Sequence, residues 1–215
     1  MSMDNAFMAL RKPKSGSDTT SAISSFLQAI WSYDPQAFTF LSTRRADGTR
    51  WIDHPVEGTP EERAVRVRDL LEANPPQHND VYFCPNAFRE PRRLQKLALP
   101  SSYGWCDIDD ADPAQFRPQP NILWETSPHR YQGLWIWQRA AEGSTAEQYS
   151  RRLWELNGGD SGGWSVTKAL RLPGTINHKP QYNCPRVRLL EATLKPQRVP
   201  LSIACVPISE YRIPS

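Results

Sequence analysis

The sequence predicts an α+β domain with a central, largely antiparallel sheet flanked by helices. Three observations lead there. Short apolar runs recur between residues 37 and 138, and several are joined by tight-turn sequences, the mark of antiparallel hairpins. Amphipathic helical segments are interspersed among those runs. The 215 residues include 20 prolines, which keep the elements short and separate them by rigid turns. Hydrophobic residues make up 39% and charged residues 23%, a globular composition. Eight Trp, seven Tyr and seven Phe supply large surfaces for a core.

Taken in order, residues 1–20 are polar and rich in Ser and Thr, and are expected to form a mobile tail. A first helix should begin near Thr20 or Ser21, with Ile23, Phe26, Leu27 and Ile30 on one face. Ala37–Thr43 reads as a strand, turning at Asp47–Gly48 into a second strand through Trp51. Thr59-Pro-Glu-Glu62 has the cap, proline and acidic first turn of a helix start, and the helix ends at Asn74-Pro-Pro76. Asp80–Cys84 is a short buried strand, and 86–100 is basic and partly helical. Tyr103–Ile108, Asn121–Thr126 and Tyr131–Gln138 are strands. Thr145–Leu156 is a helix stopped by Asn157-Gly-Gly159. A loop, a strand at 186–193 and a proline-punctuated tail over 201–215 complete the chain. The expected division is a single domain over 21–200, with a core at 80–180.

Lys and Arg number 26 against 23 Asp and Glu, a net charge of +3. That permits nucleic-acid binding without arguing for it, since phosphate contacts need local clustering. The acids gather in one run, Asp107 to Asp112, and basic groups stand at Arg44–Arg45, Arg89–Arg93 and Arg151–Arg152. The four cysteines, Cys84, Cys106, Cys184 and Cys205, form no CxxC pair, which argues against zinc and against a disulfide framework. Reduced cysteines and a cytoplasmic location are expected. No apolar run suits a signal peptide or a membrane span.

Three segments carry chemistry. In Trp105-Cys-Asp-Ile-Asp-Asp110 the strand alternation puts Asp107 and Asp109 on one face, about 7 Å apart. Carboxylates that close repel unless a cation neutralises them, and Mg2+ or Mn2+ prefers such oxygen ligands. Alone, the pair reads as an acidic turn; the apolar run directly before it tips the balance toward a site. Glu125-Thr-Ser-Pro-His-Arg130 brings a hydroxyl, an imidazole and a guanidinium near one hairpin turn, all donors for phosphate oxygens. Leu170-Arg-Leu-Pro-Gly-Thr-Ile-Asn-His-Lys179 holds a Pro-Gly turn flanked by Arg171, Asn177 and Lys179.

Together these segments resemble the archaeo-eukaryotic primase superfamily, in particular the primase-polymerases of the replicon or RepB-like type found on plasmids, phages and mobile elements. The matches are Cys106-Asp-Ile-Asp109, Ser127-Pro-His129, Gly158-Gly-Asp160 and Arg171 to Lys179, over roughly residues 80–180. The resemblance implies a primase-polymerase fold and template-directed, metal-dependent nucleotidyl transfer from nucleoside triphosphates. It implies that Asp107 and Asp109 hold two Mg2+ or Mn2+ ions, with His129 alongside them in catalysis. Ser127 and His129, helped by Arg130, would bind the incoming nucleotide's phosphates, and Arg171 and Lys179 would lie near the nucleotide or template. Implied partners are a single-stranded DNA template, a primer strand and a helicase in cis or trans. The family's third acidic position falls on Ser165, a far weaker ligand for a hard cation; Asp160 is expected to support the Gly-rich turn instead. Two other readings stay open: a catalytically silent nucleic-acid-binding replication-initiation module, and a metal-dependent nuclease. Relatives of this kind often continue into further domains of a longer protein.

Overall fold

The computed structural model of the chain describes residues 3–11 and 17–204. Its helices are α1 (Met3–Arg11), α2 (Ser17–Ile30), α3 (Pro60–Ala73), α4 (Gly143–Asn157) and the short α5 (Leu201–Ala204). Its strands are β1 (Phe38–Arg45), β2 (Trp51–Val56), β3 (Asn79–Phe88), β4 (Ser101–Ile108), β5 (Ile122–Ser127), β6 (Arg130–Ala141), β7 (Leu170–Arg171) and β8 (Arg188–Ala192). The α+β class and the antiparallel pairing are as expected. The strands divide, however, between two four-stranded sheets, ordered β2-β1-β3-β7 and β4-β6-β5-β8. Every named strand pair is antiparallel.

Three expectations about the ends of elements need correction. The mobile tail over residues 1–20 is helical where it is described: Ala6, Phe7 and Leu10 share one face of α1 and are buried. Phe7 meets Phe26 of α2 edge to face, with centroids 6.4 Å apart. The packed core therefore begins at Ala6, before residue 21. The 86–100 segment is not helical at its start, because β3 runs on to Phe88; only a 3-10 turn at Gln95–Leu97 follows. The tail from 201 opens with α5, whose Ile203 is buried, and residues 205–215, Cys205 among them, lie outside the described residues.

Local chemistry accounts for the elements. Thr59 Oγ1 accepts from the Glu62 N–H while Glu62 reaches back to the Thr59 N–H, a reciprocal cap that starts α3. Gly158 ends α4 in the left-handed conformation, φ 73°. Five tryptophans are buried, and four of their indoles donate to protein oxygens: Trp31 to Cys84 O (2.8 Å), Trp135 to Pro118 O (2.9 Å), Trp124 to Gln132 Oε1 (3.1 Å) and Trp105 to Gly163 O (3.2 Å). Between the sheets, Phe83 of β3 meets Trp124 of β5 with centroids 6.1 Å apart. A smaller cluster of Cys106, Ile108, Trp135, Trp137 and Leu153 packs α4 on the outer face of β4 and β6. Cys84, Cys106 and Cys184 form no disulfide.

The segment after α2 is held by a buried cation. The Arg63 guanidinium of α3 donates to four backbone carbonyls, those of Trp31, Tyr33, Asp34 and Ala37, at 2.7–3.2 Å. These carbonyls lie just past the end of α2, where no helical partner exists for them. Charged hydrogen bonds are worth more than neutral ones, and removing the donor strands the buried acceptors. Arg63→Ala should lower the unfolding free energy by about 3 kcal/mol, measured by urea denaturation. A loss under about 1 kcal/mol, the scale of one neutral hydrogen bond, would contradict this role.

Candidate functional site

A cavity of about 220 Å³ opens between the two sheets. Tyr82 and Arg171 come to it from β3 and β7, Gln132, Ser127 and Asp107 from the opposite sheet, and Asp109 from the bend just past β4. Asp160, Lys168, Asn177 and Lys179 reach it from the long connection between α4 and β8. The structure thus brings Asp107, Asp109, Ser127, Arg130, Arg171 and Lys179 together, residues more than 70 positions apart in the chain.

His129 is the exception. Ser127 pairs with Arg130 across a two-residue turn, and His129 takes a left-handed φ of 61° in that turn. It is exposed and lines a neighbouring depression with Asp110, Asp112 and Tyr131, which shares only Asp109 with the cavity. The tight turn separates the hydroxyl and imidazole that the sequence pattern set side by side. Ser165 is also outside the cavity lining. Its Oγ donates to Glu147 Oε1 (3.2 Å), and the same carboxylate accepts from the Val166 N–H (2.7 Å).

The anionic end of the cavity is already organised. Gln132 Nε2 donates to Asp107 Oδ1 at 2.7 Å, and the Lys168 ammonium pairs with Asp107 Oδ2. Arg130 pairs with Asp109 at 2.6 Å. Burial raises the Asp109 carboxyl; Arg130 opposes this, while Asp107 and Asp160 push it further up. Asp160 does support the Gly-rich turn, accepting from the Gly162 N–H at 3.0 Å, and it also lines the cavity.

The opposite end is made of donors. Arg171 is 5% exposed and lies over the Tyr82 ring, 4.9 Å from its centroid. Its Nη1 binds Asp80 Oδ1 at 2.8 Å, while Nη2 has no protein partner. Ser127 Oγ is likewise buried without one. Asp80 is fully buried and also takes Arg44 (2.8 Å) and the His178 N–H (2.8 Å). Burial pushes its carboxyl up, but Arg171, the His178 N–H and Arg44 outweigh this and hold it at about 2. Asn177 Nδ2 donates to Thr126 O at 2.9 Å, which ties the Pro-Gly loop to the end of β5.

A divalent cation fits this donor set. Three carboxylates line one space; Arg130 and Lys168 already relieve part of their mutual repulsion, and a hard cation would relieve more. Among the described residues no three potential ligands close around one point. A cation held by one or two carboxylates would complete its shell with water and phosphate oxygens, as magnesium commonly does.

With this geometry in hand, the RepB DNA-primase N-terminal domain family matches residues 92–212, more than half of the chain. The chain belongs to this family. The crystal structure of primase RepB′ matches with a TM-score of 0.62 at 24% identity, covering 86% of this chain and 60% of that one, so the chain spans about 60% of that protein's length. The catalytic domain of RepB′ in complex with initiator DNA matches at 0.60 and 22% identity, covering 86% and 90%. The AEP domain of the cyanophage S-2L primase-polymerase matches at 0.62 and 14%, covering 85% and 95%. At these identities the likeness is one of fold; it is the family match that bears out the RepB-type primase resemblance read from the motifs. No curated protein matches the chain. Among the described residues, no helix is long and apolar enough to cross a membrane.

Four residues of this RepB-type site carry no motif in the sequence: Asp80, Tyr82, Gln132 and Lys168. Only the strand alternation hints at Asp80 and Tyr82, which fall on one face of β3. The depressed Asp80 carboxyl stabilises the fold at pH values above the ordinary aspartate range, near 3.9. That contribution is lost as pH falls toward about 2. It amounts to roughly 2 kcal/mol. Asp80→Asn should therefore flatten the loss of stability between about pH 4 and pH 2, read from urea midpoints across that range. An unchanged pH profile in the variant would remove Asp80 as the cause.

Proposed function

We propose that the cavity takes a nucleoside triphosphate together with a divalent Mg2+ or Mn2+ ion. On this reading the domain performs template-directed nucleotidyl transfer on single-stranded DNA during replication of a plasmid, phage or mobile element. One observation carries it. Ser127 and Arg171, each with a buried donor that has no protein partner (Oγ and Nη2), line the same cavity as Asp107 and Asp109. Unpaired buried donors are costly, and phosphate oxygens would satisfy both.

The roles follow from placement. Ser127, Arg171 and, at the rim, Lys179 would bind phosphate oxygens, and Arg130 could leave Asp109 for them. Asp109, with Asp107 and Asp160 beside it, would hold the cation. When bound, that cation would offset charge on the attacking and leaving oxygens of an in-line displacement. Gln132 keeps the Asp107 carboxylate in place. His129, outside the cavity, is left for the strand beyond it.

The track for a single-stranded template lies beside the cavity. Trp51 is 43% exposed on β2 and lies on Tyr82, ring centroids 4.8 Å apart; the Arg93 guanidinium stands 5.9 Å from the Trp51 ring centroid. Tyr82 itself lines the cavity. Aromatic faces flanked by cations suit unpaired bases and their phosphates. The solved RepB′ relative bound to initiator DNA supports a DNA partner.

A second reading, a silent DNA-binding module of replication initiation, is favoured by Ser165 facing Glu147 and by Lys168 on Asp107. A primer-extension assay with template, labelled nucleotides and Mn2+ separates the two. Extension by the wild type, lost in Asp109→Asn, is the expected result. DNA binding with no extension under any condition would establish the silent module, and template degradation would point to a nuclease. Ser127→Ala should weaken nucleotide binding roughly tenfold, read by fluorescence titration. Trp51→Ala should weaken binding of a labelled single strand by roughly tenfold or more, read by anisotropy, without altering nucleotide affinity.

A further inference from the structure

We infer that Lys168 is a built-in counter-cation of Asp107, so that the cavity takes a single divalent ion, on the Asp109 side, where its two motif aspartates would invite a pair. This rests on the nucleotide-and-cation reading of the cavity.

Both oxygens of the Asp107 carboxylate are already engaged. Oδ1 accepts from Gln132 Nε2 at 2.7 Å, and Oδ2 is paired with the Lys168 ammonium. Gln132 is itself fixed: its Oε1 accepts from Trp124 Nε1 (3.1 Å) and from the Arg171 N–H (2.9 Å). The amide therefore has only one workable orientation, with Nε2 toward Asp107. A dication drawn to Oδ2 meets an ammonium already there, and like charges at that range repel strongly.

The loop is folded to put the ammonium in that place. The Lys168 N–H donates to Ser165 O at 2.8 Å, closing a turn that directs residue 168 toward Asp107 and residue 165 toward Glu147. The Glu147 carboxylate pins the turn through Ser165 Oγ and the Val166 N–H. Gly163 then leaves room for the lysine stem. A Cβ there would stand 2.1 Å from Lys168 Nζ and 2.8 Å from Cε, and its φ of +102° is one that L side chains rarely adopt. Gly163 is anchored in turn, its carbonyl accepting from Trp105 Nε1 at 3.2 Å. The Lys168 and Asp107 side chains are only 20% and 14% exposed, so the pair is partly shielded from solvent.

The charges agree with a single ion. At the acidic end Asp107, Asp109 and Asp160 stand with Lys168 and Arg130, one negative charge in excess, while Arg171 and Lys179 bring the lining as a whole to four cations against three carboxylates. One dication more than balances the acidic end before any phosphate enters; a second at Asp107 would stand against Lys168, on a carboxylate whose two oxygens are both engaged.

The test is Mn2+ uptake by the intact chain without nucleotide, followed by electron paramagnetic resonance of the free ion. The wild type should take up one ion, Lys168→Met two, and Lys168→Arg one. Thermal melts would establish that each variant is folded. Equal uptake by the wild type and Lys168→Met, or two ions in the wild type, would overturn the assignment. Uptake by the wild type that survives in Asp109→Asn would instead sink the cation reading of the cavity itself, so the two failures are distinguishable.

Discussion

The side-chain amide of Gln132 is the constraint on which the site depends. It stands on β6, yet it contacts β4 through Asp107, β5 through Trp124 and the backbone of β7 through Arg171. Three strands of one sheet and one of the other thus meet at a single planar group, which is buried. Because the amide presents two distinct faces, acceptor and donor, it does more than join the layers. The acceptor side takes N–H groups from both sheets, and only the donor side is left for the carboxylate. The distance between the sheets and the orientation of Asp107 are therefore set by one group, and neither can shift without the other.

A second buried carboxylate does for the cationic end what Gln132 does for the anionic end. Asp80 takes one arm of the Arg171 guanidinium and leaves the other without a protein partner. The planar fork of arginine suits this division, because its two Nη groups are held rigidly relative to each other. Tyr82 under the guanidinium plane closes off one face. The cavity is consequently asymmetric, with carboxylates at one end and fixed donors at the other. A ligand carrying a string of phosphates would have its direction chosen for it on entry.

Much of this was legible in the sequence, and the parts that were not share a cause. Alternation located the strands around Phe40, Phe83, Trp105 and Trp135, and the Thr59–Glu62 cap located α3. The acidic pair and Ser127, Arg130, Arg171 and Lys179 were recognisable because motifs are local in sequence. Helix α1 was hidden because its buried stripe is only three residues long, Ala6, Phe7 and Leu10, and the apolar Met8 and Ala9 between them blur its period. The division into two sheets leaves no local trace, since it depends on which strand β7 joins, and β7 is two residues long. His129 was misplaced because spacing records that two residues are near, not that a turn sends one of them out. Gln132, Lys168 and Asp80 are ordinary polar residues whose importance comes from partners 25, 61 and 91 positions away.

Those long separations have a kinetic meaning. Each contact that shapes the cavity closes a large loop, and the last contributors, Lys168 to Lys179, come late in the chain. Loop closure of this kind is slow and is rewarded only once the flanking layers have formed. During synthesis the acidic end would emerge well before the lysine, arginine and glutamate that organise it. Until the segment that ends at residue 171 docks on β3, Asp107 carries its charge without Lys168. The cavity thus has no half-built working form, and its ability to hold an anion reports on the completion of folding of the whole domain.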